Sequence, residues 1–126
     1  MKNFFLSRAE AFRYAFAGWW YVLRTQRNAW IHALATVLVI LVGLWLKISH
    51  YDWAFIVVAI AFVWTAEFIN TALEAIVDLT TKENHPLAKV GKDVGAAAVL
   101  IASLTAVVIG LIILGPPLLE KLRRFF

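Results

Sequence analysis

An apolar run from Ala54 to Ala66 passes directly into Glu67-Phe-Ile-Asn70-Thr-Ala-Leu-Glu74-Ala-Ile-Val-Asp78. Together the two stretches are long enough to cross a bilayer. In lipid a spanning segment must satisfy its own backbone, so the run is read as helix. Glu67, Asn70, Glu74 and Asp78 then stand at i, i+3, i+7 and i+11. At about 100° per residue they fall within roughly 80° of arc. One hydrophobic helix therefore carries a narrow stripe of three carboxylates and a carboxamide. Ionisable groups at membrane depth are expensive, and point to a functional site.

Two further runs, Trp30 to Leu46 and Val94 to Leu114, are also long enough to span. The chain has 126 residues, 63% hydrophobic and only 16% charged. Soluble domains sit nearer half apolar and a quarter charged. The expected fold class is an all-α membrane protein, one domain over residues 1–126. An N-terminal amphipathic surface helix is expected over about 7–27, and spans over about 30–48, 53–78 and 92–114.

The surface helix rests on Phe12, Phe16, Trp19, Trp20 and Leu23, which recur at helical spacing with Arg8, Arg13 and Arg24 between them. The alternative is that these are leading turns of the first span. Ser7-Arg-Ala-Glu10 fits a capping box, and the N-terminal segment lacks the layout of a cleavable signal. Trp19 and Trp30 are assigned to lipid contact, and His32 to a polar contact at the interface. Trp45, Tyr51 and Trp53 bracket a short connection as an aromatic belt would. Pro86 marks a helix stop and restart. Ala102, Ser103, Ala106 and Gly110, following Gly95-Ala-Ala-Ala98, permit close helix packing. Gly115-Pro-Pro117 is expected to stop the last helix.

Charge sets orientation and excludes some functions. Lys2, Arg8, Arg13, Arg24 and Arg27 precede the first span, and Lys82, Lys89 and Lys92 follow the second. With three spans both groups share one side, expected to be cytoplasmic, with Lys121, Arg123 and Arg124 opposite. The net charge of +4 is read as headgroup contact rather than nucleic-acid binding, because the basic residues flank apolar runs. With no cysteine, disulfide and thiolate chemistry are excluded.

Depth divides the stripe. At 1.5 Å per residue Glu67 lies about 20 Å past Trp53, Glu74 about 30 Å and Asp78 nearly 40 Å, against a hydrocarbon core of about 30 Å. Glu67 is inside the membrane, Glu74 at the interface and Asp78 beyond it. Glu74, Asp78 and Asp93 with Lys92 suit a magnesium ion and nucleotide phosphates. Glu67 suits a base acting on a hydroxyl held in the bilayer. The combination points to phosphoryl transfer from an aqueous donor to a lipid hydroxyl, which needs mainly positioning, metal and one base. No GxxxxGK[ST] loop or protein-kinase signature is present. The competing readings are a stripe that only pairs across a helix interface and a small proton-coupled transporter. The latter wants four spans and its glutamate in the first.

The stretch Glu67 to Asp78, then His85 and Ala88-Lys-Val-Gly-Lys-Asp-Val-Gly-Ala-Ala-Ala-Val99, closely resembles the bacterial diacylglycerol kinase and undecaprenol kinase family. The resemblance covers nearly the whole chain. It implies a homotrimer in the bacterial cytoplasmic membrane, with sites shared between subunits, that uses Mg²⁺ and ATP to phosphorylate a lipid alcohol. By position, it implies Glu67 as general base, with Asn70 orienting it and the γ-phosphate, and Glu74 as metal ligand. Glu83 and His85 match a nucleotide-contacting turn. Lys92 and Asp93 match contacts on the phosphate and ribose sides, and Asp78 a position beside the nucleotide. Tyr14 matches an aromatic lying against ATP, and either Arg8 or Arg13 a basic residue near the N-terminus. One departure stands out. Gln26 occupies a position where the family commonly has a glutamate as second metal ligand. Arg27-Asn-Ala-Trp-Ile-His32 is more similar to the undecaprenol kinase branch, with Trp30 where arginine is frequent.

Overall fold

The polar stripe sits on α3 (His50–Thr80), the element against which the other three helices pack. The structure is a computed structural model. It describes residues 2–81, 83 and 85–124, without the side chains of 2–7 and 9. Lys82, counted above among the basic residues, lies outside the described residues. The described chain is all-helical: α1 (Lys2–Thr25), α2 (Arg27–Leu46), α3 and α4 (Pro86–Arg123). Of these, α2, α3 and α4 are long and apolar enough to cross a membrane.

Local chemistry explains most boundaries. Gln26, in an extended conformation, breaks α1 from α2. At the far end of α2, Lys47 turns left-handed (φ 54°) and its N–H reaches the carbonyls of Gly43 and Leu44, satisfying end groups that lipid would leave bare. Ser49 and Asp52 then form a capping box that starts α3. Gly43 lets the hairpin close, because a Cβ there would lie 3.0 Å from the Trp53 ring. His85 caps α4, its Nδ1 accepting from the Leu87 N–H at 3.2 Å, with Pro86 at the first helical position.

Two expected boundaries differ. Ser7 is not an N-cap, because α1 already runs from Lys2. Nor do Pro116 and Pro117 end the last helix, which continues to Arg123. Proline's fixed φ is compatible with helix, and the lost N–H bonds and the ring's clash with the carbonyl four residues back strain the helix without ending it. Beyond the prolines Lys121 holds the helix in place. Its Nζ donates to the Trp45 carbonyl at 2.9 Å and lies 4.3 Å from the centre of the Trp45 ring. The basic tail therefore meets the Trp45 end of α2, opposite the end where Gln26 meets α3.

Packing centres on α3. Ile56, Ala59, Val63, Trp64, Glu67, Asn70 and Thr71 are buried. The facing stripe on α4 is Gly95, Val99 and Ala102, narrower than the small-residue run predicts: Ala96, Ala97 and Ala98 are exposed. On α1 the contact comes from the C-terminal half. Trp19 packs on Trp64 and Phe68 with ring centres 4.6 and 4.7 Å apart, beside buried Val22. Phe12, Phe16 and Trp20 remain exposed.

Candidate active site

Along the stripe, the helices around α3 supply different partners at each level. Deepest is Glu67, 1% exposed. Its Oε2 faces the Nε2 of His32, from α2, at 3.5 Å, and neither atom makes a hydrogen bond. The imidazole is also packed edge-on against Trp64, centre to centre 6.3 Å. His32 is thus directed inward, not left as a simple interfacial contact.

One helical turn on, Asn70 is buried against α4. Its Nδ2 donates to Glu74 Oε1 at 3.2 Å. Gly95 lies so close that a Cβ there would overlap the Asn70 side-chain oxygen, which has no hydrogen-bond partner. The second oxygen of Glu74 accepts from Gln26 Nε2 at 2.8 Å. The break between α1 and α2 therefore delivers Gln26 directly to Glu74, 48 residues away in the chain.

Beyond Glu74 the stripe opens into a cleft of about 950 Å³ between the end of α3 and the start of α4. Asp78, Glu83, His85, Lys92 and Asp93 line it, together with Lys89. Lys92 Nζ pairs with Asp78 at 2.5 Å and Lys89 Nζ with Asp93 at 2.7 Å. Lys89 counts in the sequence as a topology charge and as part of the Ala88–Val99 stretch, with no site role; its i,i+4 spacing to Asp93 is the signal that could have placed it here. Tyr14, on exposed α1 beside Arg13, is not among the residues lining the cleft. Trp30 is exposed on α2.

A profile of prokaryotic diacylglycerol kinases matches residues 13–114, which contain all three levels of the site. The chain belongs to the prokaryotic diacylglycerol kinase family. It is thereby a lipid kinase by family. It is 38% identical to the undecaprenol kinase of Bacillus subtilis over 109 residues, covering 86% of this chain and 89% of that one. It is 44% identical to a diacylglycerol kinase of Synechocystis over 111 residues, covering 87% of this chain and 63% of that one. Against the diacylglycerol kinase of Escherichia coli K12 the identity is 33% over 101 residues, 75% of this chain and 83% of that one.

The donor set bears on a metal. Among the described residues no group of three or more His, Asp or Glu is placed to hold a metal ion by itself. Glu74 is a single carboxylate beside an amide, Gln26, whose oxygen is not used in the bond to Glu74. One carboxylate with phosphate oxygens and water is the environment Mg²⁺ prefers, and the residues fit it.

Proposed function

We propose that the protein transfers the γ-phosphate of ATP to the hydroxyl of a membrane lipid, diacylglycerol or undecaprenol. The observation that carries this reading is the division of one helix into a buried carboxylate, Glu67, and a half-buried carboxylate, Glu74, about 10 Å further along it. A lipid alcohol reaches the first from the bilayer, and a nucleotide the second from water.

In this reading Glu67 accepts the proton of the lipid hydroxyl as its oxygen attacks the γ-phosphorus, and the bond from that phosphorus to the β,γ-bridging oxygen breaks to release ADP. Asn70, pinned between Gly95 and Glu74, orients the reacting groups from one turn away. Glu74 and the amide oxygen of Gln26 would hold Mg²⁺, which when bound supplies neutralisation of phosphate charge. Lys92 offers its ammonium to phosphates at the cleft wall, and Asp78, Glu83, His85 and Asp93 contact the rest of the nucleotide. Tyr14 is assigned to the same nucleotide, and Trp19 and Trp30 to the lipid. The proposal includes a homotrimer with shared sites, the cleft facing the cytoplasm, and α1 lying at the membrane surface.

The proton-coupled transporter reading fits less well. There are three candidate spans among the described residues rather than four, and Glu67 is on the second.

Purified protein in lipid, given Mg-ATP with diacylglycerol and a polyprenol side by side, is expected to phosphorylate one of them. Glu67→Gln is expected to abolish transfer while leaving the protein folded. Transfer by Glu67→Gln at the wild-type rate would refute the base role, and no transfer by wild type to either lipid would refute the kinase reading.

A further inference from the structure

His32 is a largely buried titratable side chain to which none of the roles above has been given. It sits on α2, six residues past Gln26, while its partner sits on α3. Its side chain is 13% exposed and that of Glu67 2%. Each presents one polar atom that meets no other hydrogen-bonding group. In an apolar surrounding an unpaired imidazole nitrogen and an unpaired carboxylate oxygen are both costly, and the pairing relieves both.

We propose that His32 is the positioning residue of Glu67. Its Nε2–H holds one carboxylate oxygen and so directs the other at the lipid hydroxyl. This rests on the reading of Glu67 as base. Two features fix the imidazole for that task. Trp64 stands edge-on to the ring, and its Nε1 donates to Thr36 Oγ1 at 3.2 Å, while Thr36 in turn donates to the His32 carbonyl at 2.7 Å. One side chain of α3 thus locks the α2 turn that presents His32 to another residue of α3. At 3.5 Å the two atoms approach without being hydrogen-bonded, as is common for catalytic groups before substrate tightens them.

Among the described groups around His32, the ionisable one in contact is Glu67. Next along α3 is Glu74, engaged by Gln26 and Asn70. From α4, Ser103 lines the same apolar groove as His32, and α1 packs nearby through uncharged Trp19 and Val22.

The test is steady-state phosphorylation of a short-chain diacylglycerol or short polyprenol, whichever wild type turns over faster, by the full-length protein in lipid from about pH 5.5 to 9. His32→Ala is expected to lower kcat about 10- to 100-fold with the KM for Mg-ATP unchanged. His32→Gln, which keeps a donor but does not titrate, is expected to recover most of kcat and to lose an ionisation seen in the wild-type pH profile. A purely packing role would not move that profile. The proposal is overturned if His32→Gln keeps the wild-type profile, or if folded His32→Ala keeps wild-type kcat, while Glu67→Gln is inactive. Full activity of Glu67→Gln would instead overturn the base reading, and this proposal with it. If His32→Ala does not fold, the profile of His32→Gln decides.

Discussion

Gln26 donates from its side-chain amide to Glu74 at 2.8 Å, across 48 residues of chain. The contact joins the α1–α2 break to the middle of the α3 stripe. It also neutralises nothing: an amide stands where a second carboxylate would add charge for a cation. Gln26→Glu is expected to tighten the apparent affinity for Mg²⁺ in the lipid kinase assay. In metal-free buffer the same variant is expected to melt earlier than wild type, because two carboxylates then face each other. A titration of activity against Mg²⁺, with a thermal melt in chelator, checks both. Unchanged metal dependence would place residue 26 outside the metal's ligands.

Gly95 has a defined job: to leave space for Asn70. Gly95→Ala drives a methyl into the Asn70 oxygen, so the amide must turn and release Glu74. The expected result is a loss in kcat of about tenfold or more, the worth of a hydrogen bond to a charged group. The melting temperature should change only modestly, since a side-chain tip can yield where backbone could not. Gly110→Ala serves as the control, because nothing lies within 4 Å of a Cβ at that position.

Lys121 ties the end of α4 to the end of α2 after two prolines. Lys121→Met keeps the aliphatic stem but loses the bond to the Trp45 carbonyl and the cation–π contact. A destabilisation of about 1 kcal/mol is expected, read from thermal or denaturant melts in detergent, with KM values unchanged. A shift in KM would show that this end communicates with the cleft.

Lys92 pairs with Asp78 at the exposed mouth of the cleft. Such pairs contribute little to stability, so Lys92→Ala is expected to fold as wild type does. Its effect should fall on the KM for ATP, with a rise of about tenfold or more for a lost phosphate contact. An unchanged KM would remove Lys92 from the nucleotide site.

Much of this organisation is legible along the chain because it follows from distance along one helix. The apolar runs require spanning helices, the 3.6-residue period puts Glu67, Asn70, Glu74 and Asp78 on one face, and the rise per residue assigns each a depth. Pro86 and His85 announce the start of α4 through local backbone chemistry alone. What the chain by itself does not determine is which residue of another helix meets each member of the stripe. Gln26 on Glu74, His32 on Glu67 and Gly95 against Asn70 depend on how helices rotate and slide in packing, and that is settled by side-chain shape summed over the whole interface. The same holds for Pro116 and Pro117. They look like a stop in one dimension, yet α4 passes through them to bring Lys121 to Trp45. Period and rise belong to a single helix and are written in its sequence; partners belong to the packed structure, where close approach and the cost of an unpaired polar group in lipid select them.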